Sequence, residues 1–364
     1  MSDKIRVAVV FGGQSSEHEV SRFSAESVIR NINPDKFDVA MIGITKDGRW
    51  LTYDGPVGLI GTGEWQALVE AQERQKHALL TAGEAIADAE RGNGKIDVVF
   101  PVLHGYNGED GTIQGMLELA GIPYVGCGVL SSSLGMDKAY AKIVFEKEGL
   151  PHGKYLVYNR KQIDSKFEKI CADVDRVLSY PCFVKPSNAG SSVGVSKVRS
   201  IDELKAALHL AAKYDRRILI EEFIDGREIE CAVLGNDDPV ASTVGEVIPC
   251  NEFYDYEAKY LSGDSSQTII PADLPAEVIE KVREYSMRAF KALDCSGLAR
   301  VDFFVRRDNC EIFINEINTM PGFTKISMYS KLWAASGLSY EKLIEKLIEL
   351  ALERFEDNRR EIDY

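Results

Sequence analysis

The sequence predicts a protein of mixed α/β and α+β class, with a parallel sheet in its N-terminal third. Three observations carry that expectation. The short, continuous apolar run Lys4–Phe11 breaks at Gly12-Gly13, and apolar residues at helical spacing follow it. A second apolar run, Ile96–Leu103, is again followed by a helical pattern, and such strand–helix alternation builds parallel sheets. Beyond residue 180 the strands follow one another through short polar turns, as in antiparallel pairs.

Taken in order, Lys4–Phe11 reads as a buried strand, and Val20, Phe23, Val28, Ile29 and Ile32 mark the next helix. Phe37–Ile44 is a second strand, which Lys46-Asp47-Gly48 turns into a hairpin partner at Arg49–Tyr53. Gly55–Lys95 shows one helix and little other periodicity. After the strand Ile96–Leu103, the residues Ile113, Leu117 and Ala120 mark a helix closed by Gly121. Pro181–Lys185 is a strand that breaks into Pro186–Ser192 and resumes at Val193–Val198. Ser200 with Glu203 has the pattern of a capping box ahead of a helix at Leu204–Ala212. Ile218–Ile224 and Glu228–Leu234 are strands on either side of Asp225-Gly226-Arg227, and Leu298–Val305 and Glu311–Ile317 add two more. A last helix carries Leu343, Leu347, Ala351 and Phe355 on one face. Three domains are expected, over residues 1–130, 131–225 and 226–364.

Composition narrows the function. The 364 residues hold 43 Lys plus Arg against 57 Asp plus Glu, a net charge of −14. That balance argues against coating nucleic acid or an anionic membrane, which needs clustered positive charge. A small local phosphate site is compatible with it. No apolar run reaches the roughly 20 residues that span a bilayer, and the N-terminal run is too short for a signal peptide. The seven cysteines, from Cys127 to Cys310, include no C-x-x-C pair, so neither a disulfide framework nor a structural zinc site is expected. A reducing, cytoplasmic setting fits.

Familiar nucleotide fingerprints are missing. Gly43 and Gly48 have P-loop spacing, but Arg49-Trp50 stands where Lys-Ser/Thr is needed, and no G-x-G-x-x-G follows a strand. The strongest feature is Arg300-Val301-Asp302-Phe303 with Asn315-Glu316-Ile317-Asn318. Strand alternation sends Arg300 and Asp302 to one face, and Glu316 and Asn318 to one face. In register, they gather two carboxylates, an amide and a guanidinium, oxygen donors suited to magnesium with substrate phosphates. Two polar, solvent-facing strands would show the same letters.

Lys185–Gly194 holds small residues with free N–H groups and one lysine, the material of a loop over phosphates or of a plain hairpin. Lys138, in Met136-Asp137-Lys138, reads either as a phosphate ligand or as a surface lysine. Ile220–Ile224 followed by Glu228 can hold an adenine and ribose hydroxyls, or be an acidic strand edge. His104, within His104–Gly111, and Glu17 both stand after apolar strands, at the sheet edge where open α/β sheets bind ligands. Phe253–Tyr260 is an aromatic, charged stretch, either a closing lid or a surface loop.

These stretches together closely resemble the D-alanine–D-alanine ligases of the ATP-grasp superfamily along nearly the whole chain. The matching segments are Phe11–Ser21, His104–Thr112, Met136–Lys138, Lys185–Gly194, Tyr254–Tyr260 and Asn315–Gly322, in the family's order. The resemblance implies an ATP-grasp fold preceded by a parallel-sheet domain. It implies ATP-driven joining of two D-alanines, with ADP and phosphate released, for peptidoglycan precursors in the cytoplasm. It also implies ATP as co-substrate, two magnesium ions (manganese as a substitute) and a homodimer, with no nucleic-acid or membrane partner.

Residue by residue, the resemblance gives Lys138 and Lys185 to the α- and β-phosphates and the Ser191-Ser192 loop to their cover. Glu221, Glu222 and the Ile224 backbone go to the adenine side, Glu228 to the ribose and Lys259 to the γ-phosphate. Asp302, Glu316 and Asn318 match metal ligands. Arg300 and the Gly322 N–H match an oxyanion site. Glu17 matches the partner of the first D-alanine's ammonium, with His104 beside it, and Ser327 that of the second one's carboxylate. Glu17, Ser191 and Tyr260 match a hydrogen-bonded set. Tyr260 also favours an amine acceptor, because relatives that make D-alanyl-D-lactate lack a tyrosine there; that activity, or another ATP-grasp carboxylate–amine ligation, is the alternative. Asn188-Ala189 replaces the Arg-Glu of some relatives, and Gly55–Lys95 is longer than in the family's shorter members.

Overall fold

The computed structural model describes residues 4–73, 82–90, 94–248 and 267–360. It contains three sheets. The first holds β1 (Ile5–Gly12), β2 (Phe37–Ile44), β3 (Trp50–Tyr53) and β4 (Val98–Pro101), in the order β3-β2-β1-β4. β1 pairs in parallel with β2 and β4, while β3 closes the expected antiparallel hairpin with β2. The unbroken apolar run in β1 has a simple cause: it is covered on both faces. Val7, Val9 and Phe11 enter one core, and Ala8 and Val10 enter another, all at most 1% exposed.

The second sheet holds β5 (Tyr155–Asn159), β6 (Cys182–Pro186), β7 (Ser196–Val198) and β8 (Arg217–Glu222), ordered β5-β8-β6-β7 and antiparallel throughout. Residues 193–195 do not extend β7, because the Val193 and Val195 N–H groups turn back to the Gly190 and Ser192 carbonyls. The third sheet holds β9 (Gly226–Gly235), β10 (Val240–Ile248), β11 (Gln267–Ile269), β12 (Gly297–Arg306) and β13 (Ile312–Asn318), ordered β11-β10-β9-β12-β13.

The helix Lys138–Lys147 lies between the second and third sheets. Its Ala141 and Phe145 pack with Val301, Phe303 and Ile317 of the third sheet, while its Lys142 faces Glu221 of the second. The closing helix Tyr340–Asp357 returns to the first sheet, where Leu343, Leu347 and Ala351 share a core with Val7, Val9 and Phe11. Buried Glu345 reinforces that junction by accepting from Asn33 Nδ2 at 3.0 Å and Lys36 Nζ at 3.1 Å.

Three sequence expectations change. Gly55–Lys95 contains three helices, Gly58–Thr62, Glu64–Glu73 and Ala82–Glu90, rather than one. β5, β10 and the helix Ala276–Ala292 had no counterpart in the sequence reading. β5 is half exposed at the sheet edge, so it lacks a clean alternation. The capping box does not form: Ser200 is the N-cap residue of the helix Ile201–Tyr214 without a side-chain bond, and Glu203 accepts instead the N–H of Arg199, one residue before the cap, at 2.7 Å. Every described cysteine is free, and no described helix is long and apolar enough to cross a membrane.

Candidate active site

The register of the third sheet gathers the polar residues. β12 and β13 set Arg300 opposite Asn318 and Asp302 opposite Glu316, and β9 sets Glu230 opposite Asp302. A bulge follows at once: Asn315 is the extra residue that lets Phe303 pair with Ile314 and both stay in the core. Without it, the polar face and the apolar face would exchange along the rest of the strand.

Arg300 grips Asp302 with two parallel bonds of 2.7 Å, from Nε and Nη2, and its Nε lies 2.9 Å from Glu230 Oε2. The Asn318 amide also donates to Asp302, at 2.9 Å. The surrounding carboxylates hold the Arg300 guanidinium well above its usual pKa, against the opposing effect of burial. Glu316 pairs with Lys138 at 3.1 Å.

Lys138 opens its helix behind the N-cap Asp137 and is tied to the phosphate-loop candidate. Its Nζ donates to the Ala189 carbonyl at 2.9 Å, and its backbone N–H donates to the Ser187 carbonyl at 2.9 Å. Asp137 accepts from the Ser187 hydroxyl at 2.6 Å and pairs with Arg217. Ser191 and Ser192 both sit at positive φ, 50° and 57°, in a tight bend that aims the loop across the sheets. From there the Ser191 hydroxyl donates to Glu17 of the N-terminal domain.

Glu17 begins the helix His18–Asn31 after β1, at the carboxyl edge of the parallel sheet. Two glycines make room for it: a Cβ on Gly105 would lie 2.6 Å from Glu17 Oε2, and one on Gly190 2.9 Å away. His104 is 3% exposed and locked at both nitrogens. Burial lowers its pKa, so it is neutral; Nδ1 donates to the Met320 carbonyl at 3.0 Å, which leaves Nε2, 3.1 Å from the Ser24 hydroxyl, as the acceptor.

Glu17, His104, Lys138, Ser191, Arg300, Glu316, Asn318 and Gly322 all line one cavity. Asp302 lies directly behind it, on Arg300 and Asn318. Ser327 stands at the N-cap position of the helix Met328–Ala335 without a side-chain bond to it, its Oγ 3.5 Å from where a Gly322 Cβ would stand. Lys185, on β6, pairs with Glu221 of β8, the adjacent strand of the second sheet. Glu222 accepts the Lys154 N–H at 2.6 Å, Ile224 follows the end of β8, and Glu228 stands on β9 opposite Phe304. Ser192 adjoins Ser191 in the loop. Lys259, Tyr260 and the Tyr254–Tyr260 segment lie outside the described residues.

Three further participants are not among the candidate residues singled out in the sequence. Glu230 pairs with Arg300, and Lys142 pairs with Glu221 at 2.8 Å. The third, Glu109, lines the cavity and accepts the Gly105 N–H at 2.6 Å. Its place in the glycine-flanked segment His104–Gly111 was the available signal. For Lys142 the signal was its spacing one helical turn beyond Lys138.

Burial, and next the Glu17 charge, push the Glu109 pKa up from 4.5 to about 8. The folded protein therefore keeps a proton that the unfolded chain has released across that window, and the Glu109 contribution to stability falls as pH rises through it. In Glu109→Gln that fall is expected to disappear. Urea midpoints at the two ends of the window check it, and an unchanged pH slope would contradict it.

Two family models match the chain: the D-ala D-ala ligase N-terminus over residues 6–127 and the D-ala D-ala ligase C-terminus over residues 144–349. The D-alanine--D-alanine ligase of Ruminiclostridium cellulolyticum is 65% identical, over 98% of each chain. The chain belongs to the D-alanine–D-alanine ligase family. Two solved structures of family type superpose on it. The D-alanine-D-alanine ligase of Coxiella burnetii has a TM-score of 0.83 at 37% identity, covering 98% of this chain and 96% of its own. The VanG D-Ala:D-Ser ligase of Enterococcus faecalis has a TM-score of 0.82 at 39% identity, covering 96% and 100%. The fold is thus ATP-grasp, its two antiparallel sheets meeting at the helix Lys138–Lys147.

Proposed function

We propose that this chain joins two D-alanine molecules into D-alanyl-D-alanine for peptidoglycan precursors, cleaving ATP to ADP and phosphate. One observation carries the reading above all. Glu17, at the substrate edge of the parallel sheet, is bonded to Ser191 of the loop between β6 and β7, and both open on the cavity that holds Lys138, Arg300 and Gly322. An amino-acid site and a phosphate site are therefore one space.

In this reading Glu17 binds the ammonium of the first D-alanine, and the neutral His104 packs beside it. The carboxylate of that D-alanine attacks the γ-phosphorus of ATP and expels ADP, leaving D-alanyl phosphate. Lys138 and Lys185 hold the α- and β-phosphates, Ser191 and Ser192 cover them, and Lys259 reaches the γ-phosphate. Glu221, Glu222 and Ile224 border the adenine, and Glu228 the ribose. Ser327 receives the carboxylate of the second D-alanine. Its amine attacks the acyl phosphate, and the negative charge on the tetrahedral intermediate faces Arg300 and the Gly322 N–H before phosphate leaves. Closure by the segment carrying Tyr260 keeps water from the acyl phosphate.

The donor set fits magnesium. Asp302, Glu316 and Asn318 present hard oxygens on adjacent strands, and a divalent ion with phosphates would replace the Arg300 and Lys138 cations they now face. These three residues would hold two magnesium ions (manganese as a substitute), supplying neutralisation of charge on the transferred phosphoryl group. A cytoplasmic homodimer completes the proposal.

ADP release with ATP, magnesium and D-alanine tests it, with D-lactate and D-serine offered as competing acceptors and the product weighed by mass spectrometry. D-alanine-dependent release with a dialanine product is expected. An ester product, or a D-alanyl-D-serine product, would move the assignment to another acceptor. Release that ignores D-alanine would overturn the reading.

A further inference from the structure

Lys142 is a lysine almost entirely withdrawn from water, 2% exposed, with no role in the reading above. Full burial of an ammonium is rare and costly, and it calls for a partner. The partner is Glu221, and it is shared: Lys142 Nζ lies 2.8 Å from Oε1, while Lys185 Nζ meets Oε2. Three buried ionic groups, 2–9% exposed, thus carry two positive charges and one negative. The Tyr155 ring, 6.0 Å from Lys142 Nζ, offers only its face.

The arrangement is built by three elements. The helix Lys138–Lys147 uses Ala141 and Phe145 to bind the third sheet, which leaves Lys142, one turn beyond Lys138, aimed at Glu221 of the second sheet. β8 and β6 are adjacent there, with Phe183 opposite Glu221 in register. Glu221 faces both lysines, with Oε1 toward Lys142 and Oε2 toward Lys185.

We propose that Lys142 is a positioning residue of the nucleotide site, sharing the Glu221 carboxylate so that the two lysines and Glu221 together present net positive charge to a polyphosphate. The physical reason is charge balance. Glu221 against Lys185 alone is a neutral pair, satisfied in itself and weakly attractive to an anion. With Lys142 added, the cluster holds one uncompensated positive charge in a poorly hydrated place, and a phosphate is its counter-charge. Lys142 acts on the ligand's charge, through Glu221 and Lys185, without touching it. This inference rests on the reading of Lys185 as a phosphate ligand.

The test separates phosphate recognition from nucleoside recognition. ADP and adenosine affinities are measured by calorimetry, with magnesium, for the unaltered protein, Lys142→Met, Lys142→Arg and Lys185→Met. In Lys142→Met, ADP affinity is expected to fall about tenfold, the weight of one partly screened charge, with adenosine affinity unchanged. Lys142→Arg restores most of the ADP affinity. Because Lys142→Met leaves a neutral buried pair, its fold should hold; Lys142→Gln, uncharged but still a donor to Glu221, repeats the measurement if it does not. Equal losses for ADP and adenosine, or no loss for either, overturn the proposal. If ADP affinity survives Lys185→Met, the phosphate-site reading fails and the proposal with it. If Lys185→Met loses ADP affinity and Lys142→Met keeps it, the proposal alone fails.

Discussion

Arg300→Met is expected to lower kcat by about 10²–10³-fold, the usual cost of losing one donor to a developing oxyanion. It is also expected to destabilise the fold by about 3 kcal/mol, because it strips Asp302 and Glu230 of the cation that compensates them. The two effects come from different bonds and can be pulled apart. Arg300→Lys keeps the charge between the carboxylates but cannot reproduce the paired 2.7 Å contacts that fix the group's direction. It should therefore recover most of the stability and little of the rate. Urea unfolding and saturated ADP release, measured on both variants, decide it. An Arg300→Lys enzyme with unimpaired kcat would mean that Arg300 is only a counter-ion of the sheet.

Gly12→Ala should be the most damaging single methyl group in the N-terminal domain. Gly12 ends β1 at φ 92°, where an L side chain is strained, and its Cβ would stand 2.1 Å from the Ile44 carbonyl oxygen. That oxygen belongs to the neighbouring β2 and accepts the Gly13 N–H at 2.8 Å, so it cannot give way cheaply. Left-handed strain and overpacking together are worth about 2–5 kcal/mol. Gly83→Ala is the control. Gly83 lies in the helix Ala82–Glu90 with nothing within 4 Å of its Cβ position, and alanine there should be neutral or stabilising by about 1 kcal/mol. Equal urea midpoints for the two variants would refute the argument. Since Gly12 also leads into the Glu17 loop, a surviving Gly12→Ala fraction should bind the first substrate poorly.

How far the sequence could be read depended on how local the causes were. β1, β2 and the helix closed by Gly121 were legible because burial on both faces, or on one helical face, leaves a period in the chain itself. Arg300, Asp302, Glu316 and Asn318 were legible because strand alternation restricts each pair to one side. The helices of Gly55–Lys95 and the edge strand β5 were not, because partial exposure blurs the period that marks an element.

The sequence by itself determined the family, the polar motifs on the strands and the glycine-rich loops that could hold substrates, since these follow from residue type and short spacing. Only the tertiary structure decided which charges meet. Lys138 with Glu316, Glu17 with Ser191, Arg300 with Glu230, and Lys142 with Glu221 and Lys185 are each joined across separate elements. Local spacing says where a side chain points within its own strand or helix. Which opposite charge it finds is set by how the sheets pack on the helix between them, and that packing is driven by apolar contacts that carry no information about the ions.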